Sequence, residues 1–227
     1  MLNPGVSGKK LQMAKKESTF TNMVITLFVV TFVASTALAL VYEVTKEPIE
    51  TAKRIKKMNA IGQVVPEFNN DPGSAVMKLG TGRDTLYFYP ARMGDTLKGV
   101  AVESYTYKGF AGLIRIMVGF LPDGTISGIS VLDQAETPGL GDKILKEKSL
   151  DRGTGLSWSS QFDGKNPKSF RLKVKKDGGD VDAITAATIS SRAFCDALQR
   201  AYDGFEAVSG ELGGASPGPE QAENKSE

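Results

Sequence analysis

The sequence predicts an α+β fold in which a single N-terminal transmembrane helix is followed by an antiparallel-sheet domain with flanking helices. Three features of the 227-residue chain indicate this arrangement. An uncharged apolar stretch lies near the N-terminus, a series of short strand patterns fills the middle, and an amphipathic helix pattern follows towards the C-terminus. A chain of this length holds one mid-sized domain plus additional segments.

The apolar stretch is long enough to cross a bilayer. No charged residue occurs from Ser18 to Tyr42, and about 20 apolar residues cross the hydrocarbon core of roughly 30 Å as a helix. A cleaved signal peptide is the alternative, because Ala37-Leu38-Ala39 resembles a cleavage site. The apolar run exceeds the roughly 7–15 residues of a signal sequence, which favours a retained transmembrane helix over residues 20–42.

Charges on either side of this helix predict its orientation. Residues 1–19 carry an excess of lysine, whereas Glu43, Glu47 and Glu50 come soon after the apolar stretch. Because positive residues favour the cytoplasmic side of a membrane, we expect residues 1–19 to form a cytoplasmic N-terminal arm. Residues 43–210 are then predicted to form an extracytoplasmic domain on the outer face of the cytoplasmic (inner) membrane.

The pattern after the membrane predicts a helix and then an antiparallel sheet. Residues 43–65 are typical of a helix leaving the membrane, with Pro48 in its first turn. Short strands are predicted over 86–89 (stopped by Pro90), 100–107, 113–121, 125–132 and 171–175. Pro122-Asp123-Gly124 is a turn, so the strands on either side of it are expected to form a hairpin.

The C-terminal part of the domain has a helical pattern. The apolar residues that recur with the spacing of one helix face are Phe194, Ala197, Leu198, Ala201, Tyr202, Phe205 and Val208. Residues 211–227 are rich in Gly, Pro, Ser and Glu, a composition that predicts a disordered tail.

Composition excludes several classes of function. The formal net charge is only +2, so a nucleic-acid partner is not indicated. The chain contains no histidine, which excludes a Ser-His-Asp site and His-ligated haem within it. Cys195 is the single cysteine, so an intrachain disulfide, an iron–sulfur cluster or a Cys-rich metal site is excluded too. We expect Cys195 to be a buried structural thiol, and we assign no metal ligand and no catalytic residue.

The stretch from Asp182 to Ser191 joins hydroxyl-bearing and small residues directly to the predicted C-terminal helix. Thr188, Ser190 or Ser191 would serve as its N-cap. Free backbone N–H groups and the positive end of the dipole make a helix start suitable for a phosphate. Local chemistry alone leaves an ordinary helix cap as the alternative.

A second motif lies between the strands and that helix. Residues 136–141 read Glu-Thr-Pro-Gly-Leu-Gly, and Pro-Gly-x-Gly by itself indicates only a loop. A glycine-containing loop, residues 108–112, comes earlier in the chain. Its glycines suit the close approach of a flat ligand, although a plain turn explains them equally well.

Together these two motifs resemble the FMN-binding domain family shared by RnfG and NqrC. In that family Asp-x-x-(Ser/Thr)-Gly-Ala-Thr-(Ser/Thr) is the flavinylation motif, and FMN is joined through its phosphate to the last Thr by a flavin transferase. The resemblance therefore implies one covalent FMN on Thr188, with Asp182, Thr185 and Ala187 also in the motif. Ala186 and Ile189 depart from the family pattern. In relatives the Glu-Thr-Pro-Gly-Leu-Gly motif lies against the flavin ring, which implies cofactor contacts for Glu136, Thr137, Gly139 and Leu140.

The resemblance also implies a function. It is stronger to RnfG than to NqrC, and the Rnf complex moves electrons between ferredoxin and NAD while transporting Na⁺ or H⁺. This chain would then relay electrons through FMN, with the other membrane subunits of the complex as its partners. Two alternatives are an NqrC-type component of a sodium-translocating NADH:quinone oxidoreductase and a non-redox, membrane-anchored flavin-binding or scaffold module. Hydride transfer by this chain alone is not indicated, since the Gly-x-Gly-x-x-Gly fingerprint of NAD sites is missing.

Overall fold

The computed structural model describes residues 19–82 and 84–212. The chain divides into two compact units, one ending at Ala52 and the other beginning at Lys53, whereas the sequence predicts a boundary after Tyr42. The predicted cytoplasmic arm lies outside the described residues except for its last residue. The predicted disordered tail lies outside them except for Glu211 and Leu212.

Helix α1 spans Phe20–Val64 without interruption. The prediction of a separate helix with Pro48 in its first turn is therefore wrong, because Pro48 lies inside α1. A proline removes one intrahelical hydrogen bond and bends a helix, but it does not have to end one. Within the described ranges, α1 is the one helix long and apolar enough to cross a membrane, which fits a single-pass membrane protein.

Threonine hydroxyls in the apolar part of α1 are satisfied inside the helix. Thr26 Oγ1 donates to the Asn22 carbonyl at 2.7 Å, and Thr36 Oγ1 donates to the Phe32 carbonyl at 2.8 Å. Each bond reaches one turn back along the helix. Hydroxyls paired in this way need no water, which is the condition that a lipid environment imposes on polar groups.

The second unit contains a five-stranded antiparallel sheet in the order β1-β2-β3-β4-β5. The strands are β1 (Met77–Gly80), β2 (Thr85–Met93), β3 (Thr96–Gly109), β4 (Gly112–Phe120) and β5 (Ile126–Gln134). The predicted antiparallel sheet is thus confirmed, as is the β4–β5 hairpin across the Pro122-Asp123-Gly124 turn. Strand β1 is not predicted by the sequence, because four residues are too few for a periodic pattern.

Strand β2 does not stop at Pro90 as predicted. Pro90 pairs with Val100 of β3, and β2 continues to Met93. On its other side, β2 pairs with β1 only as far as Phe88. No neighbouring strand of the sheet therefore requires the N–H group that proline lacks at this position.

The sheet is covered on both faces. Helix α3 spans Thr188–Leu212, past the predicted end of the domain at residue 210, and its predicted apolar face is buried, with Phe194 and Leu198 0% exposed. Alternate side chains of the central strands pack against it, among them Phe88 and Ile116. The intervening side chains of these strands lie on the other face of the sheet, where they form a second buried cluster with the end of α1, from Ala60 to Val64.

The predicted strand over residues 171–175 is wrong. This segment contributes only an isolated bridge between Val174 and Val181, and a short 3₁₀ helix covers Lys175–Asp177. The chain then reverses at Gly178, which has a φ of +77°. Leu172 and Val174 are buried in the α3-side core, so their alternation reflects packing of an irregular segment.

Cys195 lies on the buried side of α3 and is 3% exposed. Burial disfavours the thiolate and raises the pKa of this thiol to about 12. A thiol with so little thiolate at neutral pH is a poor nucleophile, so the prediction of a structural cysteine is confirmed.

Candidate functional site

The candidate site is built around the first turn of α3. Thr188 is the first helical residue and is half-buried. Two residues earlier, Ala186 has a φ of +63°, the single non-glycine residue with positive φ in the described ranges. The chain therefore enters α3 through a left-handed kink at a small, exposed residue two positions before Thr188.

Backbone N–H groups at this helix start are available. In the part of the chain that the structure describes, the N–H groups of Thr188, Ile189 and Ser190 have no protein acceptor. The first helical hydrogen bond is donated by the Ser191 N–H to the Ala187 carbonyl at 3.0 Å. Unpaired N–H groups and the positive helix end together favour an anionic group. The helix start therefore fits a phosphate.

The capping prediction is wrong: α3 begins at Thr188 itself, and Ser190 and Ser191 do not act as N-caps either. Both lie inside the first turn of α3 and are buried. Ser191 Oγ donates to the Ala187 carbonyl at 3.0 Å and accepts the N–H of Ile184 at 2.9 Å. These two hydrogen bonds fix the backbone of residues 184–187, which lead into α3.

Ser190 instead bonds a carboxylate from the second motif. Its hydroxyl donates to Glu136 Oε2, and the N–H of Ala111 donates to Glu136 Oε1 at 3.1 Å. Glu136 is only 4% exposed. Its side chain thus joins the β3–β4 turn, the loop after β5 and the first turn of α3. We call these three residues, Ala111, Glu136 and Ser190, the Glu136 clasp.

Two glycines make room for the clasp. A Cβ on Gly141 would lie 2.6 Å from Ser190 Oγ and 2.7 Å from Glu136 Oε2. A Cβ on Gly109 would lie 2.6 Å from Glu136 Oε1. Real Cβ atoms do not approach so closely. Any larger residue at position 109 or 141 would therefore collide with the Glu136 carboxylate, and glycine is what lets the backbone lie against it.

The loop after Glu136 forms a tight turn. The Leu140 N–H donates to the Thr137 carbonyl at 3.1 Å, and Gly139 has a φ of +78°. Proline followed by a positive-φ glycine is the signature of a type II turn. Thr137 and Gly139 are exposed, and Leu140 presents 42% of its surface. These residues are exposed to a ligand, whereas both Glu136 oxygens already have protein partners.

Asp182 and Thr185 lie apart from the clasp. The Asp182 carbonyl accepts Trp158 Nε1 at 2.6 Å, and its carboxylate pairs with Lys175 at 2.7 Å. Thr185 is exposed. Of Asp182, Thr185, Ala187 and Thr188, only Ala187 belongs to the buried core, at 7% exposure. Asp182 therefore anchors the segment before α3 through its backbone.

A groove of about 970 Å³ lies elsewhere in the second unit, beside β5 and the short helices that follow it. Its lining includes Gln134, Ile144 and Phe194, but none of the residues predicted to bind the cofactor. The candidate site is therefore a surface feature at the start of α3, separate from this groove.

Comparison with known proteins bears on this site. Residues 109–203 match the FMN-binding domain family, a range that begins at Gly109 and includes both motifs. The G subunit of the ion-translocating oxidoreductase complex of Shewanella amazonensis is 35% identical over 74% of this chain and 80% of its own length. The corresponding protein of Erwinia tasmaniensis is 34% identical over 83% of this chain and 90% of its own length. The G subunit of Vibrio cholerae is 32% identical over 75% of this chain and 83% of its own length.

The chain belongs to the RnfG family, the G subunits of ion-translocating oxidoreductase complexes. The family resemblance predicted from the two motifs is thus confirmed.

Three contributions to the site in this RnfG family member are not evident from its sequence. From the sequence, Ser190 is recognisable only as a helix cap or as a replacement for the hydroxyl residue that the family has at position 189. Ala111 is recognisable only as part of a flexible loop. Asp142, directly after the second motif, is buried at 7% exposure, and its Oδ1 has no hydrogen-bond partner in the described ranges. The one sequence signal for the clasp is glycine at positions 109 and 141, whose small size indicates close contact.

Proposed function

We propose that this protein is the electron-transfer subunit of a membrane-bound ion-translocating ferredoxin:NAD oxidoreductase (Rnf) complex. It would relay electrons through a single FMN attached by a phosphoester bond to Thr188. The observation that carries this proposal is the start of α3, where Thr188 lies together with three backbone N–H groups that have no acceptor among the described residues. The FMN-binding family match and the names of the relatives support the same assignment.

Each site residue has a proposed role toward FMN. The N–H groups of the first turn of α3 would bind the phosphate, and Ala186 and Ala187 would leave room for it. Thr137, Gly139 and Leu140 would contact the flavin from their exposed turn. Glu136 would hold that turn against α3 through the clasp, and Asp182 and Thr185 would shape the segment before the attachment residue.

Attachment needs an activated phosphate. A flavin transferase would use a donor in which the FMN phosphate is part of a phosphoanhydride. The bond from Thr188 Oγ1 to phosphorus forms, the anhydride P–O bond breaks, a phosphate ester leaves, and the hydroxyl proton passes to solvent. Thr188 is thus an attachment residue, and no catalytic residue is proposed in the finished protein.

Bound FMN would supply the redox chemistry that the side chains of this protein lack. A covalent bond prevents loss of the cofactor into the surroundings, which matters if the domain lies outside the cytoplasm. We propose that α1 anchors the chain in the cytoplasmic membrane with the N-terminus inside. The flavin domain would then meet the other membrane subunits of the complex on the outer face.

The decisive experiment expresses the full chain together with a flavin transferase and examines a denaturing gel for flavin fluorescence. Wild type is expected to give a fluorescent band, Thr188→Val none, and the matched control Thr96→Val, an exposed threonine outside both motifs, a band like wild type. Fluorescence that survives in Thr188→Val would move the attachment elsewhere. A dark wild type, with the transferase active on a control protein, would contradict the flavin relay and favour a non-redox module.

A second measurement tests the relay itself. The purified, flavinylated protein should be bleached by dithionite and regain its colour in air, but it should not oxidise NADH at a useful rate. Rapid NADH turnover by the isolated chain would show that it is an oxidoreductase in its own right.

A further inference from the structure

Among the buried polar side chains that the structure describes, Asp142 differs in having an oxygen atom without a hydrogen-bond partner. Its Oδ1 is the single buried side-chain nitrogen or oxygen atom without a hydrogen-bond partner among residues 19–82 and 84–212. The residue is only 7% exposed, and none of the ion pairs in those ranges includes it. Burying an ionisable group without a partner is costly.

Other buried carboxylates in the same unit are fully engaged. Glu103 contacts Lys57, Arg115 and Tyr89, and Glu136 accepts two hydrogen bonds in the clasp. The domain therefore satisfies buried acids where they serve only its own packing. A buried acid that is left without a partner is a candidate for pairing with a ligand.

The backbone of Asp142 is fixed beside the candidate site. Its N–H donates to the Thr137 carbonyl at 3.4 Å, and its carbonyl accepts the N–H of Leu145 at 2.9 Å. The preceding residue, Gly141, is in contact with Ser190 in the first turn of α3, two positions after Thr188. Asp142 is thus bonded to the turn of the second motif and directly follows a residue that lies against the first turn of α3.

We propose that the Asp142 carboxylate accepts hydrogen bonds from the hydroxyl groups of the ribityl chain of FMN. This inference rests on the proposed attachment of FMN at Thr188. A flavin tethered by its phosphate must place its polyol next to the attachment residue, because the ribityl chain joins the phosphate to the ring. Hydroxyl donors match an acceptor-only carboxylate, and such charge-assisted bonds are stronger than neutral ones.

The experiment compares flavinylated and flavin-free protein. Asp142→Leu removes the acceptor while keeping the branched side-chain skeleton, Asp142→Asn keeps one acceptor oxygen, and the exposed Asp133→Asn serves as the matched control. Each is made in the full chain and in the Thr188→Val background, and the thermal midpoint (Tm) is measured. Iodide quenching of flavin fluorescence is measured in the flavinylated forms.

Without flavin, Asp142→Leu is expected to raise Tm by about 2–4 °C, because it removes a buried carboxylate oxygen that has no hydrogen-bond partner. In flavinylated protein the same change should lower Tm and make the flavin more accessible to iodide. Asp142→Asn should fall between wild type and Asp142→Leu, and Asp133→Asn should resemble wild type. Equal Tm shifts with and without flavin, or unchanged quenching, would overturn the inference.

Two further outcomes would also overturn it. If a chelator lowers the Tm of wild type with or without flavin, and Asp142→Leu abolishes that effect, the partner of Asp142 is a metal cation. If Asp142→Leu and Asp142→Asn stay folded but receive no flavin, the residue serves recognition by the transferase. The fluorescent gel band separates these results from failure of the proposed function, since a dark wild type would remove the flavin altogether.

Discussion

Two buried glutamates on opposite sides of the sheet hold the domain together by different means. Glu103 is paired with cations, because Lys57 Nζ lies 2.9 Å and Arg115 Nη1 3.3 Å from its carboxylate. Glu136 receives only neutral donors, the N–H of Ala111 and the hydroxyl of Ser190. The first carboxylate ties the end of α1 to the sheet, and the second ties a loop to the start of α3.

The difference appears in the neighbours of each acid. Burial alone would lower the pKa of Arg115, but Glu103 and Asp84 outweigh it and raise that pKa. Burial, followed by the charge of Glu103, raises the pKa of Tyr89. No cation among the described residues pairs with Glu136, whose carboxylate instead accepts a hydrogen bond from the first turn of α3. The Glu103 cluster is therefore a charged structural centre, whereas the Glu136 clasp is a neutral-donor contact at a helix start.

Removal of the charge at Glu103 should have the largest effect on stability. Glu103→Gln leaves Arg115 and Lys57 without their shared counter-ion, and breaking a buried ion pair in this way typically costs about 3–5 kcal/mol. Because the Lys57 side chain is 37% and the Arg115 side chain 25% exposed, we expect about 2–3 kcal/mol here. Thermal unfolding in detergent measures it, and the exposed Glu67→Gln is the control.

If Glu103→Gln and Glu67→Gln shift Tm equally, the charged cluster contributes nothing particular to the fold. The contrast with Glu136 would then be lost.

Gly141→Ala should disrupt the clasp at a somewhat smaller cost. The new Cβ would lie 2.6 Å from Ser190 Oγ and 2.9 Å from Glu136 Cβ, and overpacking of this kind costs about 1–3 kcal/mol. Gly80→Ala is the matched control, since a Cβ there would meet nothing within 4 Å. Tm values of both variants are compared with wild type.

The pairing with Ser190 can be isolated by a double-mutant cycle. Ser190→Ala removes the hydroxyl that the new Cβ meets, so Gly141→Ala should cost less in that background than in wild type. Strictly additive effects would mean that Gly141 and Ser190 do not interact.

Asp196 on α3 has both cationic partners and a neutral hydroxyl donor, so the pH dependence of stability can test its contribution. Burial works against its ionisation, but hydrogen bonds from Lys108, Thr106 and Arg200 hold the pKa of Asp196 below its ordinary value. A depressed pKa stabilises the folded state above the unfolded value of about 3.9, and this stability is lost as the pH falls through the lower, folded-state pKa.

We therefore expect Asp196→Asn to destabilise the protein by about 1 kcal/mol at pH 7. The difference from wild type should shrink steadily as the pH is lowered below about 4. Denaturant unfolding at several pH values measures it, with the exposed Asp203→Asn of the same helix as the control. A difference that stays constant down to low pH would contradict the assignment of this stability to the Asp196 charge.

Sequence periodicity predicts those parts of the fold in which one local pattern determines the structure. The buried face of α3 and the β4–β5 hairpin follow from the spacing of apolar residues and one turn. The Glu136–Ser190 bond joins residues 54 positions apart, and no local pattern specifies which hydroxyl will meet which carboxylate. Alternation is also misleading over 171–175, because irregular segments packed on a core can alternate without pairing in a sheet.

The smallest expected effect concerns the kink before Thr188. Ala186 has a φ of +63°. This left-handed conformation is unfavourable by roughly 1–2 kcal/mol of conformational free energy for a residue that has a Cβ atom. Glycine avoids this cost but loses about 0.5–1 kcal/mol through its freer unfolded state. Ala186→Gly should therefore raise stability by about 1 kcal/mol or less, and Tm by a few degrees, whereas Ala187→Gly at an ordinary φ should lower both.

The sign of the Ala186→Gly shift decides whether the start of α3 is held under strain. A rise in Tm would mean that the neighbouring contacts, Ser191 with Ala187 and Ser190 with Glu136, force Ala186 into a conformation that it disfavours. The clasp would then be strong enough to impose a backbone geometry, although it contains no cation. A fall in Tm would mean that the side chain of Ala186 contributes more than its φ angle costs, and the clasp would need no strained residue to position Thr188.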